Sequence, residues 1–90
     1  MLNIIYSNQF KKDVKRVQKH GKNMSKFKEI IDLLVKEKEL PRSAHDHPLR
    51  GNWTGYRDLH LEPDWILIYK IDRARQFIRF ERTGTHSELF

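Results

Sequence analysis

The sequence predicts an α+β fold in which an N-terminal strand and a two-helix hairpin pack on one face of a mostly antiparallel, twisted sheet. Three observations point to it. Apolar residues recur at helical spacing through the first 40 or so positions and at strand spacing after residue 55. Two prolines and two glycines crowd the intervening stretch PRSAHDHPLRGNWTG, residues 41 to 55. The run WILIYKI, residues 65 to 71, is apolar on both faces, as expected of a central strand covered from both sides.

The elements follow in order. Leu2, Ile4 and Tyr6 alternate with Asn3, Ile5 and Ser7, so residues 2 to 6 read as a short strand. Ser7 is a good N-cap for a helix through His20, with Phe10, Val14 and Val17 on one face, Lys11, Lys12, Lys15 and Lys19 on the other, and Gly21 as the stop. Asn23 or Ser25 caps a second helix, in which Met24, Phe27, Ile30, Ile31, Leu34 and Val35 recur until Leu40 and Pro41 end it. Two amphipathic helices of this length form a hairpin.

Residues 41 to 55 then form a loop. YRDLHLE, residues 56 to 62, alternates, with Leu59 and Leu61 on one face and Tyr56, Asp58, His60 and Glu62 on the other. EPD makes a turn whose backbone angle is set by Pro63. After the WILIYKI strand, DRARQ turns the chain again, FIRFERTG forms the last long strand, and Gly84 frees the chain to change direction before THSELF. Helices that follow an edge strand and precede a meander pack together on one sheet face and leave the other open. No repeat or second domain is visible, so residues 1–90 are expected to form one domain.

Apolar residues make up 38% of the chain and aromatics 11%, enough for a packed core and too many for intrinsic disorder. Cysteine is absent, which removes disulfides and thiolate metal ligands. The N-terminus has no basic leader or long apolar run, and the longest apolar run, WILIY, is far short of the ~20 residues of a membrane span. A cytoplasmic protein without membrane insertion is therefore expected. Eighteen Lys plus Arg against twelve Asp plus Glu leave a net charge of +6, the footprint of a partner for nucleic acid or an acidic protein.

Four of the five histidines, His45, His47, His60 and His86, fall in the strand and loop half of the chain. His60 lies on the polar face of its strand, His47 leads into that strand, and His86 follows the strand expected to pair nearby; one open sheet face can gather all three. Cutting RNA without a metal needs a base for the 2′-hydroxyl proton, an acid for the leaving 5′-oxygen, and a cation for the developing phosphorane charge. Imidazoles that titrate near neutrality suit the first two tasks, and the Arg82 guanidinium suits the third.

Asp64 can fix an imidazole's tautomer or act as a base itself, although Asp after Pro is equally a turn residue. Trp65, Tyr56 and Phe90 can stack on splayed bases, with Arg57 placed beside them as substrate-binding, although most aromatics beside strands are core and Trp65 favours that reading. Strict alternation would put Arg82 on the core face with Ile78 and Phe80, so a bulge near Glu81 is expected; otherwise Arg82 is a structural ion-pair partner. HDH, residues 45 to 47, sets two imidazoles two positions apart, but without cysteine no metal site or other cofactor is expected.

The segments DHPLRGNWTGYRDLHLEPDWILIYK and RFERTGTHSELF resemble the YafQ family, a histidine-rich branch of the RelE/ParE superfamily of toxins from bacterial toxin–antitoxin pairs. The likeness covers nearly the whole chain. It implies a RelE-like, microbial-RNase-like fold and a ribosome-dependent mRNA endoribonuclease, held inactive by a cognate antitoxin, possibly as a heterotetramer, with the translating ribosome and mRNA as its other partners. It also implies that the functional positions are His47 in DHPL, His60 in YRDLH, Asp64 and Trp65 in EPDW, Arg82 in ERTG, His86 in GTH, and Phe90 in the closing LF. A non-enzymatic inhibitor of gyrase like the ParE toxins, and a basic module that only docks on RNA, are the alternatives.

Overall fold

A computed structural model describes residues 1–90. The chain begins with strand β1 (Asn3–Tyr6) and helix α1 (Asn8–Lys19), and the join between them shows how local chemistry sets the fold. Ser7 is extended, its hydroxyl oxygen accepts the Phe10 N–H at 2.9 Å, and the same hydroxyl donates to the Glu81 carbonyl at 2.7 Å. One side chain thus caps the helix, worth about 1 kcal/mol, and ties it to a distant strand.

At the other end of α1, Gly21 adopts φ +74 while the N–H groups of Gly21 and Lys22 return to the carbonyls of Gln18 and Val17. Helix α2 (Met24–Val35) is capped by Asn23, which accepts the Lys26 N–H at 3.2 Å. It stops five residues before the Leu40–Pro41 end expected from the sequence. Glu37 takes the left-handed conformation normally left to glycine (φ 54), and Glu37 and Lys38 close the same motif onto Leu34 and Leu33.

Strands β2 (His47–Pro48), β3 (Arg57–Glu62), β4 (Trp65–Asp72) and β5 (Phe77–Gly84) complete a sheet of order β1-β5-β4-β3-β2. All neighbouring pairs are antiparallel except β1 with β5. β2 is a strand the sequence reading missed: it is two residues long and lies inside the segment read as loop, between single turns of 3₁₀ helix at Arg42–Ala44 and Gly51–Trp53.

The main core lies between the two helices and one sheet face. Phe10, Val17, Phe27, Ile30 and Leu34 meet Leu59, Trp65, Leu67, Tyr69, Ile78 and Phe80. Phe10 stacks between Phe27 and Phe80, and Phe27 in turn stacks on Trp65 at 5.8 Å between centroids. The opposite face is not wholly open, as expected, but carries a smaller cluster. Ile66 and Ile68 are covered by Leu89 of a one-turn helix α3 (His86–Leu89), with Leu49, Trp53 and Tyr56 around them.

Phe80 pairs with Tyr69 and Arg82 with Ile68, so Glu81 has no opposite residue and forms the bulge expected near it. Ile78 and Phe80 therefore enter the helix-side core, while Arg82 falls in register with Ile68 of the other face. No helix is long and apolar enough to cross a membrane.

Candidate functional site

The register of β3 sets the centre of the site. Asp58 pairs with Ile68 and His60 with Ile66, which puts both polar side chains on the sheet face away from α1 and α2. On the other side of β3, the short strand β2 brings His47 directly opposite Asp58. The third imidazole arrives from the C-terminal segment. Thr85 caps α3 in a reciprocal box with Glu88, which fixes His86 as the first residue of that helix.

These placements line up the imidazoles. Ring centroids are 5.6 Å apart for His60 and His86, 6.4 Å for His47 and His60, and 6.1 Å for His45 and His60. Phe90, more than half exposed, lies 6.3 Å from His86 and 6.3 Å from Trp53. The expected convergence of His47, His60 and His86 is therefore met in the geometry, with His45 as a further member.

Each ring has a different hydrogen-bonding position. Asp64, in the Pro63–Asp64 turn between β3 and β4, accepts both the His86 backbone N–H at 3.0 Å and its ring Nδ1 at 2.9 Å. The backbone bond, then the ring bond, hold the Asp64 carboxyl below its usual range. An ionised acceptor at Nδ1 requires hydrogen there, so Nε2 is the nitrogen of His86 left to exchange a proton with a ligand. His60 makes no hydrogen bond to protein and is only partly exposed, at the middle of the row.

His47 is gripped from both ends. Its Nδ1 is 2.7 Å from the His45 carbonyl and its Nε2 is 2.9 Å from Asp58 Oδ1. The carbonyl can only accept, so Nδ1 carries hydrogen; Nε2 then faces Asp58 as a lone pair unless a second proton sits on the ring or on the carboxyl. The Nε2 contact is close in distance but poorly aligned, so Asp58 Oδ1 lacks a directed hydrogen bond. Burial pushes the Asp58 carboxyl up, against the pull of His47, His60 and His86.

Arg82 is engaged on the helix side. Its Nε and Nη2 donate to Asp13 at 2.7 and 3.4 Å. Asp13 is wholly buried and also receives Arg16, Gln9 and the Thr83 N–H. Burial alone would raise its carboxyl; the hydrogen bonds from Arg82, Gln9 and Thr83 outweigh it and hold the group below its usual range. The bulge puts Arg82 in register with Ile68, while its guanidinium is an ion-pair partner of Asp13, the alternative reading, with Nη1 left over.

Two expected substrate contacts need correction. Trp65 has no exposed surface: its ring stacks on Phe27 and its Nε1 donates to Thr83 Oγ1 at 3.0 Å, so it cannot receive a base. Arg57 pairs in register with Tyr69 of the core face, and its Nε and Nη2 each donate to Asp46 at 3.2 Å. The Tyr69 hydroxyl also donates to Asp46 at 2.5 Å, and burial, then this bond, push the phenol up. Arg57 therefore braces the segment that carries His45 and His47. Tyr56 stays on the histidine face, with its ring edge-on to Trp53 at 5.5 Å and Lys70 above it.

Asp58, Asp13, Asp46 and Trp53 were not singled out from the sequence, and His45 was weighed there only in the HDH pair. Asp58 was readable, because it shares the alternating polar face of His60. Asp13 was readable too: with Phe10 and Val17 it occupies the buried face of α1, where an unpartnered carboxylate would be costly.

The family model described as "Bacterial toxin of type II toxin-antitoxin system, YafQ" matches residues 2–90. The mRNA interferase toxin YafQ of Escherichia coli K12 is 54% identical over 88 residues, which span 97% of this chain and 94% of that protein. The crystal structure of YafQ from Escherichia coli BL21(DE3) superposes with a TM-score of 0.93 at 52% identity, covering 100% of this chain and 99% of that one. The toxin in a crystal structure of the Escherichia coli DinJ-YafQ complex does so with a TM-score of 0.92 at 53% identity, with the same coverage.

Proposed function

Because this chain belongs to the YafQ family of toxins from bacterial type II toxin–antitoxin systems, we propose that it is an mRNA interferase that cuts messages on the translating ribosome. Its close relative carries the name mRNA interferase toxin, and a structure of that relative's complex, DinJ-YafQ, supports a cognate antitoxin as the partner that restrains this chain. Messages under translation place its action in the cytoplasm.

The observation that carries the reading is the row of His47, His60 and His86 on one sheet face, with neighbouring centroids no more than 6.4 Å apart. RNA cleavage without a metal proceeds by attack of the 2′-oxygen on the adjacent phosphorus. A 2′,3′-cyclic phosphate forms and the bond to the 5′-oxygen breaks, so one proton leaves the 2′-hydroxyl and another reaches the 5′-oxygen. His60 and His86 are the acid–base pair: His60 has no competing protein partner, and Asp64 holds the Nδ1 hydrogen of His86 so that Nε2 faces the reaction.

His47, held between the His45 carbonyl and Asp58, presents its ring beside the phosphate. Arg82 steadies the phosphorane through the guanidinium edge that Asp13 leaves free. Phe90 offers an exposed ring, and Tyr56 a partly buried one, to unstacked bases, which are recognised by stacking in single-stranded RNA. The four lysines on the outer face of α1 supply a charge-based hold on ribosomal RNA.

Inducing His86→Ala beside wild type tests the role. Message cleavage is expected to fall about 100-fold or more and growth arrest to disappear, while the fold and antitoxin binding persist because His86 is exposed. Undiminished cleavage by the variant overturns the assignment.

A further inference from the structure

A cleft of about 820 Å³ opens beside the imidazole row and is lined by Lys26, Ser43, His45, His47, His60 and Glu62. Along the imidazole row its lining stops at His60. Neither His86 nor Phe90 takes part, so the cleft extends the row from the end opposite the C-terminal segment.

The charges in this cleft are unequal. Glu62 is its carboxylate, and Lys22 lies 3.4 Å away and neutralises it. Lys26 has no carboxylate within ion-pair distance and is exposed at the first turn of α2. The Ser43 hydroxyl and the His45 ring make no hydrogen bonds, while the His45 backbone is held at φ 49, a conformation uncommon outside glycine. An ammonium, a hydroxyl and an imidazole thus face the cleft with unused donors, beside histidines that would hold the scissile phosphate.

We infer that this cleft is a second phosphate subsite, in which Lys26, Ser43 and His45 hold the RNA phosphodiester next to the one being cut. The inference rests on the nuclease reading and adds a direction to it. The strand crosses from the aromatic side at Phe90, over His86 and His60, to the cationic side at Lys26. Two phosphates held at fixed separation orient the scissile linkage, so this subsite acts by positioning.

Titrating the isotope-labelled full chain with 2′-O-methyl RNA tests it, using a dinucleotide with one phosphodiester and a trinucleotide with two. Both ligands are expected to shift the ring signals of His60 and His86, and only the trinucleotide those of Lys26, Ser43 and His45. Lys26→Ala should weaken the trinucleotide about three-fold, leave the dinucleotide unchanged, and lower the slope of log affinity against log salt by about 0.7. Identical shifts from both ligands, with an unchanged salt slope in the variant, overturn the subsite but leave the nuclease reading standing. Silence at Lys26, Ser43 and His45 with both ligands overturns the subsite as well, whereas the nuclease reading falls only if His86→Ala cleaves messages undiminished.

Discussion

Asp64 shows how a turn residue comes to hold a distant imidazole. Its carboxylate is largely exposed, so its hold on His86 depends on accepting two donors at once, the backbone N–H and the ring. Because those bonds depress its pKa, the linkage has a definite sign. The contact is complete above the ordinary Asp value of 3.8 and is lost as pH falls through the lower value of the folded chain. Ring nitrogen NMR of Asp64→Asn is expected to show His86 mixing its two neutral tautomers, and cleavage to fall by about one order of magnitude. A variant that keeps the wild-type tautomer and rate would show that Asp64 serves only the turn. The sequence left these two readings of Asp64 level because a residue after proline in a tight turn satisfies both. What separates them is the approach of a segment 22 positions later, which local pattern does not encode. Trp65 is the reverse case. It sits in the family motif EPDW, yet in the structure it shares with Leu67 and Tyr69 the face packed by helices.

Among the elements, the bulge at Glu81 was legible because two demands on β5 conflict. Ile78 and Phe80 must enter the core, and Arg82 is needed on the other face, so one extra residue has to intervene. The early end of α2 was not legible, since Glu37 gives no sign that it will do a glycine's work. β2 was hidden by its length, because two residues cannot display alternation. The C-terminal helix carried a signal that was overlooked: Thr85 and Glu88 stand three apart, the spacing of a capping box. That box has a functional corollary. Thr85→Ala removes the side-chain acceptor for the Glu88 N–H and leaves it the Thr85 carbonyl, at a local cost of about 1 kcal/mol, in a helix of only four residues. Amide exchange is expected to speed at Leu89 and Phe90 and cleavage to drop, while the thermal midpoint of the main core barely moves. An unchanged exchange rate at Leu89 would show that its packing on Ile66 and Ile68 suffices to hold the segment.

For the whole molecule, where the unpaired charge stands matters as much as the net +6. Many carboxylates are turned inward or already neutralised: Asp13 by Arg82 and Arg16, Asp46 by Arg57, Glu81 by Arg79, Glu62 by Lys22. Lys11, Lys12, Lys15 and Lys19 stand exposed along α1, and none of them has a carboxylate within ion-pair distance. A partner that restrains this toxin while approaching such a surface gains most from acidic residues in the part that wraps it, since opposite charge steers encounter more than it tightens the final complex. The association rate with the cognate antitoxin is therefore expected to fall about ten-fold between 0.01 and 0.15 M salt as the screening length shortens, while the dissociation rate changes much less. Stopped-flow mixing across that range separates the two rates. Association indifferent to salt would mean that recognition is carried by apolar contact.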